Sequence, residues 1–80
     1  MCRVKAKIKE GQVAHERLAY IQLAGGITAE VIVSRLHAGI ADVQAFEIRQ
    51  EGSRVLVELP SETSTGDWRV WVPETAVIRA

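Results

Sequence analysis

Residues 2–9 read C-R-V-K-A-K-I-K, so that Val4, Ala6 and Ile8 alternate with Arg3, Lys5, Lys7 and Lys9. A period of two sends alternate side chains to opposite faces, the pattern of a half-buried strand. It returns along the chain: Ile27, Ala29, Val31 and Val33 against Thr28, Glu30, Ile32 and Ser34, then Val55, Val57 and Leu59 against Arg54, Leu56 and Glu58. Turn residues separate the runs, at Glu10-Gly11-Gln12, Gly25-Gly26 and Glu51-Gly52-Ser53. Alternating runs with short glycine turns predict an all-β chain, folded as one small barrel domain over residues 1–80 with five to six antiparallel strands.

The stretch Val13 to Ala24 admits two readings. Its Ala, Glu, Arg, Leu and Gln favour a helix that Gly25-Gly26 would cap. The same glycines, standing between two apolar-rich runs, are also a hairpin signal. The hairpin is favoured, because a strand at Ile27 to Ser34 needs a neighbour and Arg17 to Leu23 supplies one across the turn. Ser34 to Asp42 loses the alternation and reads as a loop that can hold one helical turn capped by Ser34. Val43 to Gln50 resumes strand character, and Pro60 to Gly66, with four hydroxyls in seven residues, reads as a mobile surface loop.

Totals narrow the class. A chain of 80 residues buries only about 60–65% of its unfolded surface, so partner subunits are a plausible further source of burial. With 48% hydrophobic and 25% charged residues the composition is that of a globular domain. No apolar run approaches a bilayer's thickness, and the charges alternating from Arg3 to Glu10 leave no room for an apolar leader segment. A cytoplasmic location, with no membrane partner, is expected. Ten basic and ten acidic residues balance. Their distribution is uneven: residues 1–10 carry four cations and Glu10, a formal +3, and residues 11–80 carry six arginines and nine acids, a formal −3.

Near the end, W-V-P-E-T-A-V-I-R (Trp71 to Arg79) runs from a strand through Pro73 and one tight turn, of 3₁₀ type near Pro73–Ala76, into a short strand. This ending resembles that of SH3-like small barrels, over about ten residues. The resemblance implies a fold more than an activity. Proline-rich ligands of SH3 domains lie on aromatics, one from the first strand and a tyrosine just before the valine of the closing turn. Here that tyrosine position is Ala76 and the first strand has no aromatic. Type II dihydrofolate reductases, oligomeric SH3-like enzymes, place Val-Gln-Ile-Tyr just ahead of the same proline. This chain has Arg69-Val70-Trp71-Val72 there, without the glutamine or the tyrosine, so a non-enzymatic protein without a cofactor is expected.

Two surfaces stand out. Trp68 shares its parity with Val70 and Val72 and is assigned to the core; Trp71 and Arg69 point the other way. Leu56, Phe46 and Ile32 also hold the outward parity of their strands. An outer face with Trp71, Arg69, Leu56, Phe46 and Ile32 is too apolar for water and is expected to be covered by a second copy or a larger protein. The second surface is the basic run: Arg3, Lys5, Lys7 and Lys9 would line one sheet surface over about 20 Å, a spacing that can meet successive phosphates. Nucleic acid is the alternative partner on that ground, and an edge strand kept from aggregating by its lysines is the plainer explanation. Cys2, His15 and His37 are spread singly, without metal-ligand spacing.

Overall fold

In the computed structural model, which describes residues 1–79, the chain forms eight strand segments in two antiparallel sheets. They are β1 (Cys2–Lys5), β2 (Lys7–Glu10), β3 (Glu16–Gln22), β4 (Thr28–Ser34), β5 (Asp42–Glu51), β6 (Arg54–Glu58), β7 (Arg69–Pro73) and β8 (Val77–Arg79). The larger sheet has the order β7-β6-β5-β1-β8 and the smaller β2-β3-β4. A 3₁₀ turn at Glu74–Ala76 separates β7 from β8, with Pro73 as its N-cap. No helix among the described residues is long and apolar enough to cross a membrane.

Eight segments stand where five to six strands were expected, and the first alternating run explains much of the difference. It is cut at Ala6: β1 pairs with β5 and β8 in the larger sheet, and β2 pairs with β3 in the smaller. The amide of Ala6 turns out of both ladders and donates to the carbonyl of Ala41 at 3.0 Å. One run of sequence thereby feeds both sheets.

Residues 16–34 form a hairpin. β3 and β4 pair from Glu16↔Ser34 to Gln22↔Thr28. Leu23 N–H donates to Ile27 C=O at 2.7 Å, and Gly25 and Gly26 take positive φ in the turn between them, where a side chain would be strained. The helical reading fails because its apolar residues serve a sheet: Ala19 and Ile21 are buried with Val31 and Val33 across the ladder.

Inward parity builds the core. Cys2, Val4, Ala19, Ile21, Val31, Val33, Val43, Ala45, Val55, Val57, Leu59, Val70 and Val72 form one cluster drawn from both sheets. Valine dominates because a β-branched side chain packs well on a pleated surface. Each fully buried valine contributes about 1.5–3 kcal/mol over its exposed state.

Two loops tie the sheets' margins. Ala24 N–H, at the hairpin tip, donates to Trp71 C=O at 2.9 Å and covers the edge of β7. Residues 60–66 close the edge of β4, where Thr63 bridges Val31 and Ser64 N–H donates to Glu30 C=O at 2.8 Å. Thr63 is buried, and its hydroxyl accepts from the Asp67 amide at 3.1 Å. The segment is a surface loop, as expected, with Thr63 as its one buried residue, and local hydroxyl bonds and a strand edge tie it to the sheet. Residues 35–37 form a turn, with the Ser34 hydroxyl accepting from Leu36 N–H at 3.2 Å, so Ser34 caps a turn that never becomes a helix.

Candidate functional site

All four aromatic residues of the chain, Tyr20, Phe46, Trp68 and Trp71, lie outside the buried core. Small aliphatic side chains suffice to fill the space between the sheets, which leaves the largest apolar side chains at the surface.

The outer face of β5, β6 and β7 carries two of these rings, Phe46 and Trp71, in three rows across the ladder. One row runs Phe46, Glu58, Arg69; the next runs Arg49, Leu56, Trp71; the third runs Glu51, Arg54, Pro73. A register shift between Glu47 and Arg49 makes Ile48 an extra residue. That bulge lets Phe46 and Arg49, three apart in sequence, keep the same face. The charges on the face neutralise one another: Arg69 Nε lies 3.0 Å from Glu58, and Arg49 and Arg54 reach the two oxygens of Glu51 at 2.9 and 3.2 Å. Leu56 and Trp71 are half-buried, and both arginines cover the Trp71 ring.

Trp68 corrects the sequence assignment to the core, and the reason is its position along the strand. Its carbonyl accepts from Leu59 N–H at 2.8 Å, so it stands opposite the buried Leu59 and holds the inward parity expected. But β7 begins only at Arg69. Trp68 lies beyond the end of the strand, where no opposing sheet covers it, and it stays 49% exposed. Parity sets the side a residue faces and not whether anything lies over it.

Trp68 and Phe46, 53% exposed, line a groove of about 450 Å³ together with Met1, Ala45, Leu59 and Pro60. Its polar members are His37, Gln44 and Glu58. The Gln44 amide contacts the Met1 sulfur at one wall. An open groove with aromatic walls, an apolar floor and a few polar groups suits an extended apolar segment.

The remaining expected residues fall elsewhere. Ile32 lies on β4, across from Leu18, on the outer face of the smaller sheet. It is therefore placed apart from Trp71, Arg69, Leu56 and Phe46, which share the larger sheet. The single basic surface is likewise corrected: Arg3 and Lys5 belong to β1, Lys7 and Lys9 to β2, and the sheet changes between them at Ala6. Arg3 is bound to Asp42 at 2.7 Å, Lys5 stands opposite the same Asp42, and Lys9 lies 5.4 Å from the centre of the Tyr20 ring. Cys2 is buried in β1, and burial, then the nearby Glu47 carboxylate, push its thiol above the ordinary value, against the terminal amine and Arg79.

Sequence reasoning missed the groove because Met1, Pro60 and Trp68 lie outside the regular strands. The one available signal was Pro60, which ends β6 two residues after Glu58 and opens the end of the sheet. No family model, curated protein or solved structure matches this chain.

Proposed function

We propose that this protein is a non-enzymatic binding and assembly module, acting in the cytoplasm, whose Phe46–Trp68 groove receives an extended apolar segment of a partner protein. The observation that carries this reading is the placement of all four aromatic residues outside a core made of small aliphatic side chains. Large rigid aromatics are the usual anchors of protein contacts. Leu56, Trp71 and Arg69 extend the contact beyond the groove along the same face. Because Arg69, Arg49 and Arg54 are already paired with Glu58 and Glu51, the occupant is selected by apolar contact rather than by charge.

The fold is read as an SH3-like barrel. Two features support this: the Pro73, 3₁₀ turn and Val77 strand ending, and the run through β1 and β2 that bends from one sheet into the other at Ala6. The cytoplasmic location rests on the lone Cys2, a free and buried thiol.

Selection from a library of displayed peptides tests the function. The expected ligands are apolar and uncharged at their centre, blue-shift tryptophan emission, and lose binding to Phe46→Ser and Trp68→Ser. Ligands that bind both variants as well as the original, or no ligand at all, would overturn the assignment. Retention on nucleic acid at low salt, lost on raising the salt, would instead return the function to the cations of β1 and β2.

A further inference from the structure

Five of the seven arginines have a carboxylate within 4.0 Å: Arg3 with Asp42, Arg49 and Arg54 with Glu51, Arg69 with Glu58, and Arg79 with Glu47. Among the described residues the two without one are Arg17 and Arg35, and both line the same groove. It holds about 520 Å³ where the ends of β2 and β3 meet residues 35–40. Lys9 is the third cation there and Glu10 the one anion. The Arg17 guanidinium is held in place by the carbonyls of Ala14 and Glu16, at 3.0 and 2.8 Å. Leu36 and Ile40, on the same groove, are 83% and 98% exposed. Three cations against one acid, bordered by bare apolar side chains, call for a carboxylate-bearing partner with an apolar flank.

The far edge of the same small sheet has that composition. Glu30 on β4 and Glu62 in the loop that closes its edge border a cleft of about 230 Å³ that is lined by Leu18, Val31, Ile32, Thr63 and Ser64 and by no cation. Neither Glu30 nor Glu62 has a basic partner within 4.0 Å among the described residues. Ile32 is 55% exposed beside them. β2 and β4 are opposite edges of one three-stranded sheet, so a single copy cannot bring its own acidic edge to its own basic groove.

We infer that copies of this chain join head to tail, the Lys9–Arg17–Arg35 groove of one copy receiving the Glu30–Glu62 edge of the next, with Leu36 and Ile40 against Ile32. A contact between two different patches is heterologous; it closes into a ring or continues as a filament according to the rotation per copy. It leaves the Phe46–Trp68 groove open, so the two surfaces act independently. The zero net charge, with a basic groove and an acidic cleft, fits partners that are the same molecule.

Sedimentation velocity over a concentration series at low salt tests this, with Lys9→Ala/Arg35→Ala removing the groove's charge and Glu30→Gln/Glu62→Gln removing the edge's. All four positions are exposed, and circular dichroism confirms that each variant folds. The original chain is expected to exceed its monomer mass of 8.8 kDa and to lose association by roughly tenfold or more on raising salt from 0.05 to 0.5 M. Each variant alone is expected to stay monomeric. An equal mixture is expected to form a species of two chains and nothing larger, since one variant retains only the edge and the other only the groove. An original chain that stays monomeric, a variant that still associates alone, or a mixture that stays monomeric would each overturn the inference. Association lost in Phe46→Ser/Trp68→Ser would also overturn it, assigning self-assembly to the aromatic groove.

Discussion

The Arg54 guanidinium lies 4.1 Å from the centre of the Trp71 ring, over its face, with Arg49 on the same indole at 5.6 Å. Both arginines are held by Glu51, at the turn that joins β5 to β6. Trp71 is thereby half covered from its own chain, while Trp68, three residues earlier, has no such cover. The two tryptophans differ in exposure by what lies over them.

The Arg54–Trp71 contact has a measurable worth. A double-mutant cycle with Arg54→Ala and Trp71→Leu, read by urea denaturation, is expected to give a coupling of about 0.5–1 kcal/mol. A coupling indistinguishable from zero would mean that the stacking contributes nothing.

Removing small core atoms should cost more than removing a large surface ring. Ile21, fully buried between the sheets, is expected to lose about 2–5 kcal/mol on Ile21→Ala. Trp68→Ser is expected to lose less, about 1 kcal/mol, since about half of the side chain already lies in water. The reverse order would put Trp68 back in the core.

Gly11 is required by close approach rather than by its backbone angles. A Cβ there would stand 2.8 Å from the Glu16 carbonyl oxygen and 2.9 Å from its carbon, the same carbonyl that the Gly11 amide bonds at 3.2 Å. Gly11→Ala is expected to destabilise by about 1–3 kcal/mol, because backbone must move. Unchanged thermal stability would show that the β2–β3 turn can open without loss.

Cys2 links stability to alkaline pH. Burial, followed by the Glu47 carboxylate, raises its thiol above the ordinary value of 9.0, so the folded state holds the proton more tightly than the unfolded chain. Its contribution is therefore complete below the unfolded value and declines as pH rises through the folded one. Denaturant midpoints for the original chain should fall faster above pH 9 than those of Cys2→Ala; parallel curves would remove the linkage. Alkylation of Cys2 should also be slow until the protein unfolds.

The strands were legible because each half-buried run carries its own period. Val55 and Val57 are buried and Arg54 is exposed, as their alternation requires, and the Pro73 to Val77 turn falls where proline allows it. The four residues Trp71, Arg69, Leu56 and Phe46 could be placed on outward positions in the same way. What the period does not carry is which strands share a sheet. Ile32 reads like Phe46 in its own strand and lies in a different sheet, and Lys5 and Lys7 read as neighbours on one strand yet belong to two.

By itself the sequence favoured the all-β class and the β3–β4 hairpin and set the side to which residues of the regular runs face, because these depend on local backbone geometry and on turn glycines; the bulge at Ile48 was not legible in it. Only the tertiary structure decided what stands over each face. The break at Ala6 divided the basic run between two sheets, the end of β7 left Trp68 half exposed above Leu59, and five long-range or turn ion pairs set Arg17 and Arg35 apart from the other arginines. Those outcomes depend on contacts between segments far apart in the chain, such as Arg3 with Asp42 and Arg79 with Glu47. No single run of residues contains the information on where its neighbour will be.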